Sequence, residues 1–171
     1  MSVNFKKLPS HMDEKSFMAR FEEIYEHSPW VPARVWAKGI ISSHDEIAIL
    51  HQAMITVLAS AERCEKLALI RAHPDLAGKA AIQGDLTHAS TNEQAGAGLD
   101  TLTSDEHAHF TKLNDAYKAK FNFPFIKAVK KSNKHEIIKA FETRLQNSIE
   151  VEFETALNEI NKIALFRLSE L

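Results

Sequence analysis

Residues 104–126 read SDEHAHFTKLNDAYKAKFNFPFI, and this stretch decides the fold class. Its apolar side chains recur every three or four positions, at Phe110, Leu113, Tyr117 and Phe121. That spacing places them on one face of an α-helix and predicts that the face is buried. Ser104 is predicted to be the N-cap, because its hydroxyl oxygen can accept a hydrogen bond from an N–H group of the first turn. Pro124 makes the segment 123–126 an apolar, non-helical insert.

The same helical spacing continues on both sides of this stretch. Towards the N-terminus it predicts helices over about 13–26, 33–37, 44–59 and 61–72. Towards the C-terminus, Asn133 opens a long helical third. Only five glycines and five prolines interrupt the chain, and no segment alternates with the period of a strand. The sequence therefore predicts an all-α fold, an irregular single-domain bundle of about seven or eight helices over residues 1–171.

Composition limits the partners and the compartment. The formal net charge is −2, so nothing attracts the protein electrostatically to nucleic acid or to an anionic membrane. No apolar stretch approaches the length of a membrane span. Cys64 is the only cysteine, which excludes an internal disulfide, favours a reducing compartment and leaves the cytoplasm as the expected location. Cys64 itself is predicted to be a buried, unreactive side chain.

Motifs for metals, phosphates and nucleophilic catalysis are missing. The sequence contains no glycine-rich phosphate loop, no paired cysteines for zinc and no His-Glu-x-x-His helix. His107 and His109 lie two positions apart on the predicted helix, so they point to different faces. The sequence therefore predicts neither a metal site nor an organic cofactor.

His73 stands directly after the predicted helix over 61–72, which must end there because Pro74 disfavours helical backbone in the residue before it. The negative end of the helix dipole favours the protonated form of such a histidine by up to ~1 kcal/mol. A histidine of this kind can donate a proton near neutral pH. It can equally be a C-capping residue with no part in catalysis, and position alone leaves both interpretations open.

Two further polar segments also have two interpretations. Ser90-Thr91-Asn92-Glu93 fits a capping box, with Ser90 at the N-cap and Glu93 three positions later. A helix N-terminus also binds ligands through its unpaired N–H groups, and Gln94 adds a donor and an acceptor that suit amide or ureide groups. The backbone of 125–129 follows a proline, so its polar groups can bind a flat ligand or can belong to a buried connection.

These segments, in this order, resemble one family, the 2-oxo-4-hydroxy-4-carboxy-5-ureidoimidazoline (OHCU) decarboxylases. The resemblance covers about residues 13–169 and rests on five ordered groups of residues. They are Glu26-His27-Ser28-Pro29-Trp30-Val31; His73-Pro74-Asp75-Leu76; Ser90-x-x-Glu93-Gln94 with Ala97-Gly98-Leu99; Leu113-Asn114-x-x-Tyr117-x-x-Lys120-Phe121-x-Phe123-Pro124-Phe125-Ile126; and Arg144-Leu145-x-Asn147 with Ile163-Ala164-x-x-Arg167-Leu168.

The resemblance implies an all-helical, homodimeric enzyme that needs no cofactor and converts the ureidoimidazoline acid into (S)-allantoin. It identifies His73 and Glu93 as catalytic residues. An arginine assists, and Arg144 and Arg167 both occupy family-like positions, with Arg167 preferred as the catalytic one and Arg144 placed among the substrate contacts. The other substrate contacts that it implies are Pro74, Ser90, Thr91, Asn92, Glu93 and Gln94, and the backbone of Phe125, Ile126, Lys127, Ala128 and Val129.

The missing cofactor motifs agree with this chemistry. Decarboxylation leaves an electron pair on carbon, and most enzymes supply a cofactor to accept it. In the family's substrate, the carbon that carries the carboxylate adjoins a C=N bond, which can accept the electrons itself. The alternatives are a ureide or amide hydrolase, which usually needs a metal, and a non-catalytic helical ligand-binding or interaction module, which would have no activity and would tolerate a change at His73.

Overall fold

The computed structural model describes residues 3–171, except for the side chain of Ala80. Within that range it contains nine α-helices: α1 (Glu14–Phe21), α2 (Trp30–Ala37), α3 (Ile47–Ala59), α4 (Arg63–Ala72), α5 (Lys79–Gln83), α6 (His88–Gly96), α7 (Ser104–Phe121), α8 (Lys134–Arg144) and α9 (Ile149–Leu168). Two 3-10 helices cover Pro9–His11 and Ser42–Asp45. The described residues form no strand beyond one isolated bridge between Asn4 and Glu46. The predicted all-α class is confirmed, with nine helices instead of seven or eight.

The chain forms two compact units. The first unit contains residues 3–72 and 161–171, and the second contains residues 73–160. Helix α9 contributes residues 149–160 to the second unit and its remainder to the first. The assignment of residues 1–171 to a single domain stays a prediction.

The first unit buries the apolar faces that the helical spacing predicts. Its most deeply buried side chains include Phe17, Phe21, Leu50, Met54, Leu58, Ala164 and Leu168. Helix α1 is shorter than predicted, since it ends at Phe21 and is followed by a turn in which His27 has a φ of 46°. The Arg167 guanidinium donates hydrogen bonds to the carbonyl oxygens of Glu23 and Ile24, at 3.2 and 3.5 Å. These carbonyls therefore bond to a side chain distant in sequence instead of continuing the helix.

Helix α2 begins earlier than predicted. The prolines indicate a break over 27–32 and a start at Ala33, but the helix begins at Trp30. Pro32 lies in the first turn, where its missing N–H group has no helical acceptor to lose. The break is therefore confined to the residues before Trp30.

An aromatic cluster forms the core of the second unit. The predicted stripe of α7 is confirmed, because Phe110, Leu113, Tyr117 and Phe121 are all buried. The Tyr117 ring meets Phe125 edge-on, with the ring centroids 5.2 Å apart. Phe125 in turn stacks on Phe141 of α8, with the centroids 3.6 Å apart and the planes 18° from parallel. This packing fixes the non-helical segment after Pro124 between α7 and α8.

Two helices of the second unit have reciprocal capping boxes. The Asn133 side chain caps α8 and Glu136 completes the box, as the position of Asn133 predicts. Helix α7 is capped by Thr103 with Glu106 as its reciprocal partner. Ser104 is thus the first residue of α7 and not its cap, because Thr103 supplies the same hydroxyl group one position earlier.

Helix α6 begins at His88, three residues earlier than a cap at Ser90 predicts. Its N-cap is Thr87, whose Oγ1 accepts a hydrogen bond from the Ser90 N–H at 3.2 Å. Ser90 is therefore the third helical residue and Glu93 the sixth, and the predicted capping box of Ser90 and Glu93 is wrong. The signal is ambiguous in the sequence, because Thr87 and Ser90 carry the same capping group three positions apart.

The structure also differs from the prediction at Cys64 and in the C-terminal third of the chain. Cys64 is exposed on α4, so its predicted burial is wrong. The long helical third after Asn133 is divided into α8 and α9, and Ile149, at the start of α9, is half exposed. Across residues 3–171, none of the helices combines the length and the apolar character that a membrane crossing requires.

The cap of α6 can be tested by replacing Thr87 with alanine. We expect Thr87→Ala to lower the free energy of unfolding by about 1 kcal/mol and the melting temperature by about 2–4 °C, because the Ser90 N–H loses its acceptor. Thermal unfolding followed by circular dichroism measures the effect. Thr111→Ala is the matched control, since Thr111 lies on the exposed face of α7 away from any cap. Equal stability of the two variants would contradict this assignment of the cap.

Candidate active site

His73 is the first residue after α4 and is buried, with 8% of its surface exposed. The loop that follows it is tied to two helices of the second unit. The Leu76 carbonyl oxygen accepts a 2.8 Å hydrogen bond from Asn114 Nδ2 of α7. The Ala77 N–H donates at 2.9 Å to Gln94 Oε1 of α6. These contacts fix the path of the chain directly after His73 and Pro74.

A third contact and a tight turn complete the loop. Asp75 Oδ2 lies 2.5 Å from Lys118 Nζ of α7 in an ion pair. Ala77 has a φ of 51°, in the left-handed region that a residue with a side chain seldom adopts. A Cβ atom on Gly78 would lie 2.6 Å from Asp75 Cβ, so only glycine fits there without displacing Asp75. The loop is thus held by side-chain contacts against a backbone conformation that is unfavourable by itself.

The five residues predicted on α6 separate onto two faces of the helix. Ser90 and Gln94 are buried and Glu93 is half buried, which the spacing of three and four positions explains. Thr91 and Asn92 are exposed. Thr91 Oγ1 donates to the Thr87 carbonyl at 3.0 Å, and Asn92 Nδ2 lies 3.2 Å from His88 Nδ1. The inward group is therefore Ser90, Glu93 and Gln94.

Gln94 makes a contact that the sequence does not predict. Its Oε1 atom accepts from the Ala77 N–H and so holds the His73 loop. Gln94 therefore connects α6 to this loop. Glu93 precedes it on the same helix, in the middle of α6 and away from the N-terminal N–H groups.

The segment 125–129 is buried except for the half-buried Lys127. Three of its backbone polar groups have protein partners. The Ile126 carbonyl oxygen accepts from Arg144 Nη1 at 2.6 Å, the Ala128 N–H donates to Glu159 Oε2 at 2.8 Å, and the Val129 carbonyl oxygen accepts from the Ser132 N–H at 2.8 Å. Among the described residues, none accepts a hydrogen bond from the N–H groups of Ile126 and Lys127. The predicted availability of this backbone thus holds for only some of its groups.

Arg144, at the end of α8, is engaged by a buried carboxylate. Its Nε and Nη2 atoms donate to Glu152 Oε2 at 3.0 and 2.8 Å, and the Glu152 side chain is fully buried. Asn147 Nδ2 donates to Glu152 Oε1 at 2.8 Å, and the Tyr117 hydroxyl donates to Glu152 Oε2. Burial, and then the hydrogen bond to Glu152, raise the pKa of Tyr117 far above its ordinary value. Both keep the phenol in its neutral, donating form.

Arg167 lies in the first unit, whereas the other predicted site residues lie in the second. Its Nη2 atom forms a buried ion pair with Glu26 Oε2 at 2.8 Å. Its Nη1 atom holds the Glu23 and Ile24 carbonyl oxygens of the turn after α1. Glu26 belongs to the N-terminal segment singled out in the sequence, and its pairing with Arg167 explains why a carboxylate is buried there.

A cavity of about 600 Å³ opens in the second unit among α5, α6 and the start of α7. Two predicted substrate contacts, Thr91 and Gln94, line it, together with mainly apolar residues such as Ile82, Leu86, Leu99 and Leu102. His73, Ser90 and Glu93 are not among its lining residues. The structure therefore places part of the predicted set at this cavity and part beside the His73 loop.

Sequence reasoning assigned no role to three residues that support the site, Asn114, Lys118 and Glu152. Asn114 carries a signal that could have found it, because a polar side chain within an apolar helical stripe is often buried for its hydrogen bonds. Glu152 lies beside the buried Phe153 on α9, but no local pattern pairs it with Arg144. Among the described residues, no three His, Cys, Asp or Glu side chains are arranged so that they could hold a metal ion.

Comparison with known proteins gives one family. The sequence model of OHCU decarboxylase matches residues 10–169. The chain is 43% identical over 161 residues to the 2-oxo-4-hydroxy-4-carboxy-5-ureidoimidazoline decarboxylase of Haloferax volcanii, a match that covers 94% of this chain and 92% of that protein.

Two crystal structures have similar folds. That of (S)-allantoin synthase superimposes with a TM-score of 0.73 and 30% identity, covering 94% of this chain but only 51% of the other, so this chain spans about half of that protein. That of OHCU decarboxylase in the presence of (S)-allantoin gives a TM-score of 0.68 at 22% identity, covering 87% of this chain and 94% of the other, and supports the fold. The match over nearly the whole chain, together with these relatives, shows that the chain belongs to the OHCU decarboxylase family.

Proposed function

We propose that this protein is a carboxy-lyase of urate degradation that converts 2-oxo-4-hydroxy-4-carboxy-5-ureidoimidazoline into (S)-allantoin. The observation that carries the proposal is the match to decarboxylases of this name along nearly the whole chain. The geometry adds that Gln94 and Asn114, two residues of the family-like motifs, hold the loop that begins at His73. A reducing compartment such as the cytoplasm is consistent with the single cysteine.

The reaction requires little beyond positioned acids and bases. The C–C bond to the carboxylate breaks and CO₂ leaves. The electron pair of that bond forms a double bond to the neighbouring carbon of the C=N group. The π electrons of C=N move to nitrogen, which takes up a proton. The hydroxyl then loses its proton to become a carbonyl, and the neighbouring carbon gains a proton on one face. The substrate thus accepts the electrons itself, and we propose that no metal or organic cofactor takes part.

We propose that His73 and Glu93 handle these protons and that Pro74, Ser90, Gln94 and segment 125–129 bind the substrate. His73 is buried on a loop whose path is fixed by α6 and α7, which suits a group that must meet a reacting atom within hydrogen-bond reach. Thr91 and Asn92 face solvent on α6 and contribute at most the rim of a site. We retain Arg167 as the assisting arginine because the family resemblance prefers it; like Arg144, it is paired with a buried glutamate.

The activity and the role of His73 can be tested together. Urate is treated with uricase and with the hydrolase of the intermediate step, the purified protein is added, and optical rotation is followed. Spontaneous decay gives racemic allantoin, so we expect rapid rotation of a single sign with the wild-type protein. His73→Asn should lower turnover by roughly 10²-fold or more, the usual scale for loss of an acid–base group.

His109→Asn is the matched control, because it makes the same substitution at an exposed histidine of α7. It should keep the wild-type rate, as should wild-type protein that has been dialysed exhaustively against EDTA. Racemic product from the wild type would refute the proposed function and favour a non-catalytic ligand-binding or interaction module. Normal turnover in His73→Asn would refute the catalytic role of this residue alone.

Glu93→Gln separates a catalytic role from a structural one. Thr87 and not Ser90 caps α6, so the replacement of Glu93, the sixth residue of the helix, leaves that cap intact. We expect the variant to melt within a few degrees of wild type while turnover falls by roughly 10²-fold, about 3 kcal/mol of transition-state stabilisation. Glu142→Gln on the exposed face of α8 is the control. If both variants retain full turnover, Glu93 does not belong to the catalytic set.

We also propose that the protein is a homodimer, as the family resemblance implies. Light scattering at micromolar concentration should give a mass of about twice the 19.3 kDa of the chain. The measurement should be repeated over a tenfold dilution, with turnover recorded in the same samples. A fully active monomer throughout that range would contradict the dimer.

A further inference from the structure

The carboxylate of Glu152 is the most completely enclosed charge in the described part of the second unit. Its residue is 0% exposed, and donors from three side chains surround it. They are Arg144 through Nε and Nη2, Asn147 through Nδ2, and Tyr117 through its hydroxyl. The carboxylate is therefore fully satisfied in one orientation, with its neighbours fixed around it.

A contribution to folding stability does not by itself explain why Glu152 and Arg144 form a buried ion pair. Removing a carboxylate and a guanidinium from water is costly, and well-packed apolar residues in their place often serve a core equally well. An ion pair of this kind does impose geometry, because the planar guanidinium presents its N–H groups in a rigid fork. When Glu152 binds Nε and Nη2 of Arg144, the direction of the remaining Nη1 group is fixed as well.

The outer part of that fork points at the segment proposed to bind substrate. With Nε and Nη2 on Glu152, Arg144 Nη1 lies 2.6 Å from the Ile126 carbonyl oxygen. The guanidinium carbon lies 4.3 Å from the centroid of the Phe125 ring, which it covers. Arg144 thus bonds to one residue of the segment and stacks on the residue before it, while α7 packs Tyr117 against the same ring.

We propose that Glu152 is a positioning residue, which fixes Arg144 so that Arg144 holds the backbone of residues 125–129 in the conformation that binds substrate. The inference rests on the proposed function, because it takes 125–129 as a substrate-binding segment. It assigns Arg144 a role through the Ile126 carbonyl and no direct contact with the reacting atoms. Glu152 acts indirectly, by fixing Arg144.

The principal test removes both charges at once. The double variant Arg144→Met with Glu152→Gln leaves no buried charge without a partner, so the chain can still fold. We expect KM to rise about tenfold with kcat within about threefold of wild type, since ground-state and transition-state binding weaken together. Amide hydrogen exchange of residues 126–129, measured on peptides by mass spectrometry, should accelerate about tenfold or more as the segment loses its anchor.

A matched double variant is available in the same unit. Lys134 Nζ and Glu106 Oε1 form an ion pair at 2.5 Å that joins α8 to α7, and neither residue hydrogen-bonds to 125–129. Glu106→Gln with Lys134→Met should leave KM and the exchange of 126–129 at their wild-type values. An equal rise in KM in both double variants would mean that general loosening is responsible, and the positioning role would be overturned.

Arg144→Lys provides a second, conservative variant. Lysine keeps the positive charge beside Glu152 but lacks the fork that reaches Glu152 and the Ile126 carbonyl together. We expect near-normal melting with KM still raised and exchange still faster. A wild-type KM in Arg144→Lys would overturn the proposal. If the wild-type protein has no decarboxylase activity, the proposed function fails, and the exchange rates still decide separately whether Glu152 and Arg144 fix the segment.

Discussion

The buried hydrogen bond from Asn114 Nδ2 to the Leu76 carbonyl oxygen decides where the chain runs after His73. Helix α4 ends at Ala72, and Pro74 prevents it from continuing, so the next residues need partners outside a helix. Asn114 supplies one, and Lys118, one turn later on α7, supplies another through Asp75. Tyr117 lies between them in sequence and packs on Phe125. A single turn of α7 therefore supports both the histidine loop and the segment after Pro124.

In each of the two units, an arginine donates hydrogen bonds to carbonyl oxygens of a non-helical segment. Each is paired with a buried glutamate and uses its remaining N–H groups to hold carbonyl oxygens of a non-helical segment. Arg144 pairs with Glu152 and holds the Ile126 carbonyl, and Arg167 pairs with Glu26 and holds the carbonyls of Glu23 and Ile24. Because such carbonyls are costly to bury without donors, the arginines make irregular backbone possible inside a helical protein.

Parts of the fold could be predicted because their causes are local. The apolar stripe of α7, the end of α4 before Pro74 and the cap at Asn133 each depend on residues within a few positions. Errors arose where two local signals compete or where a distant group intervenes. Thr87 and Ser90 offer the same cap to α6, and the sequence does not rank them. Helix α1 ends early because its following carbonyls bond to Arg167, which lies 144 positions from Glu23.

The sequence by itself determined the all-α class, the place of His73 directly after a helix, and the set of polar residues that resembles one family of decarboxylases. Tertiary structure decided what those residues touch. It turned Ser90, Glu93 and Gln94 inward on α6 and left Thr91 and Asn92 in solvent, joined Gln94 to the histidine loop, and gave each arginine a buried carboxylate. The physical reason is range: helical periodicity and capping act over one or two turns, whereas the partner of a buried polar group is chosen by packing between elements far apart in the chain.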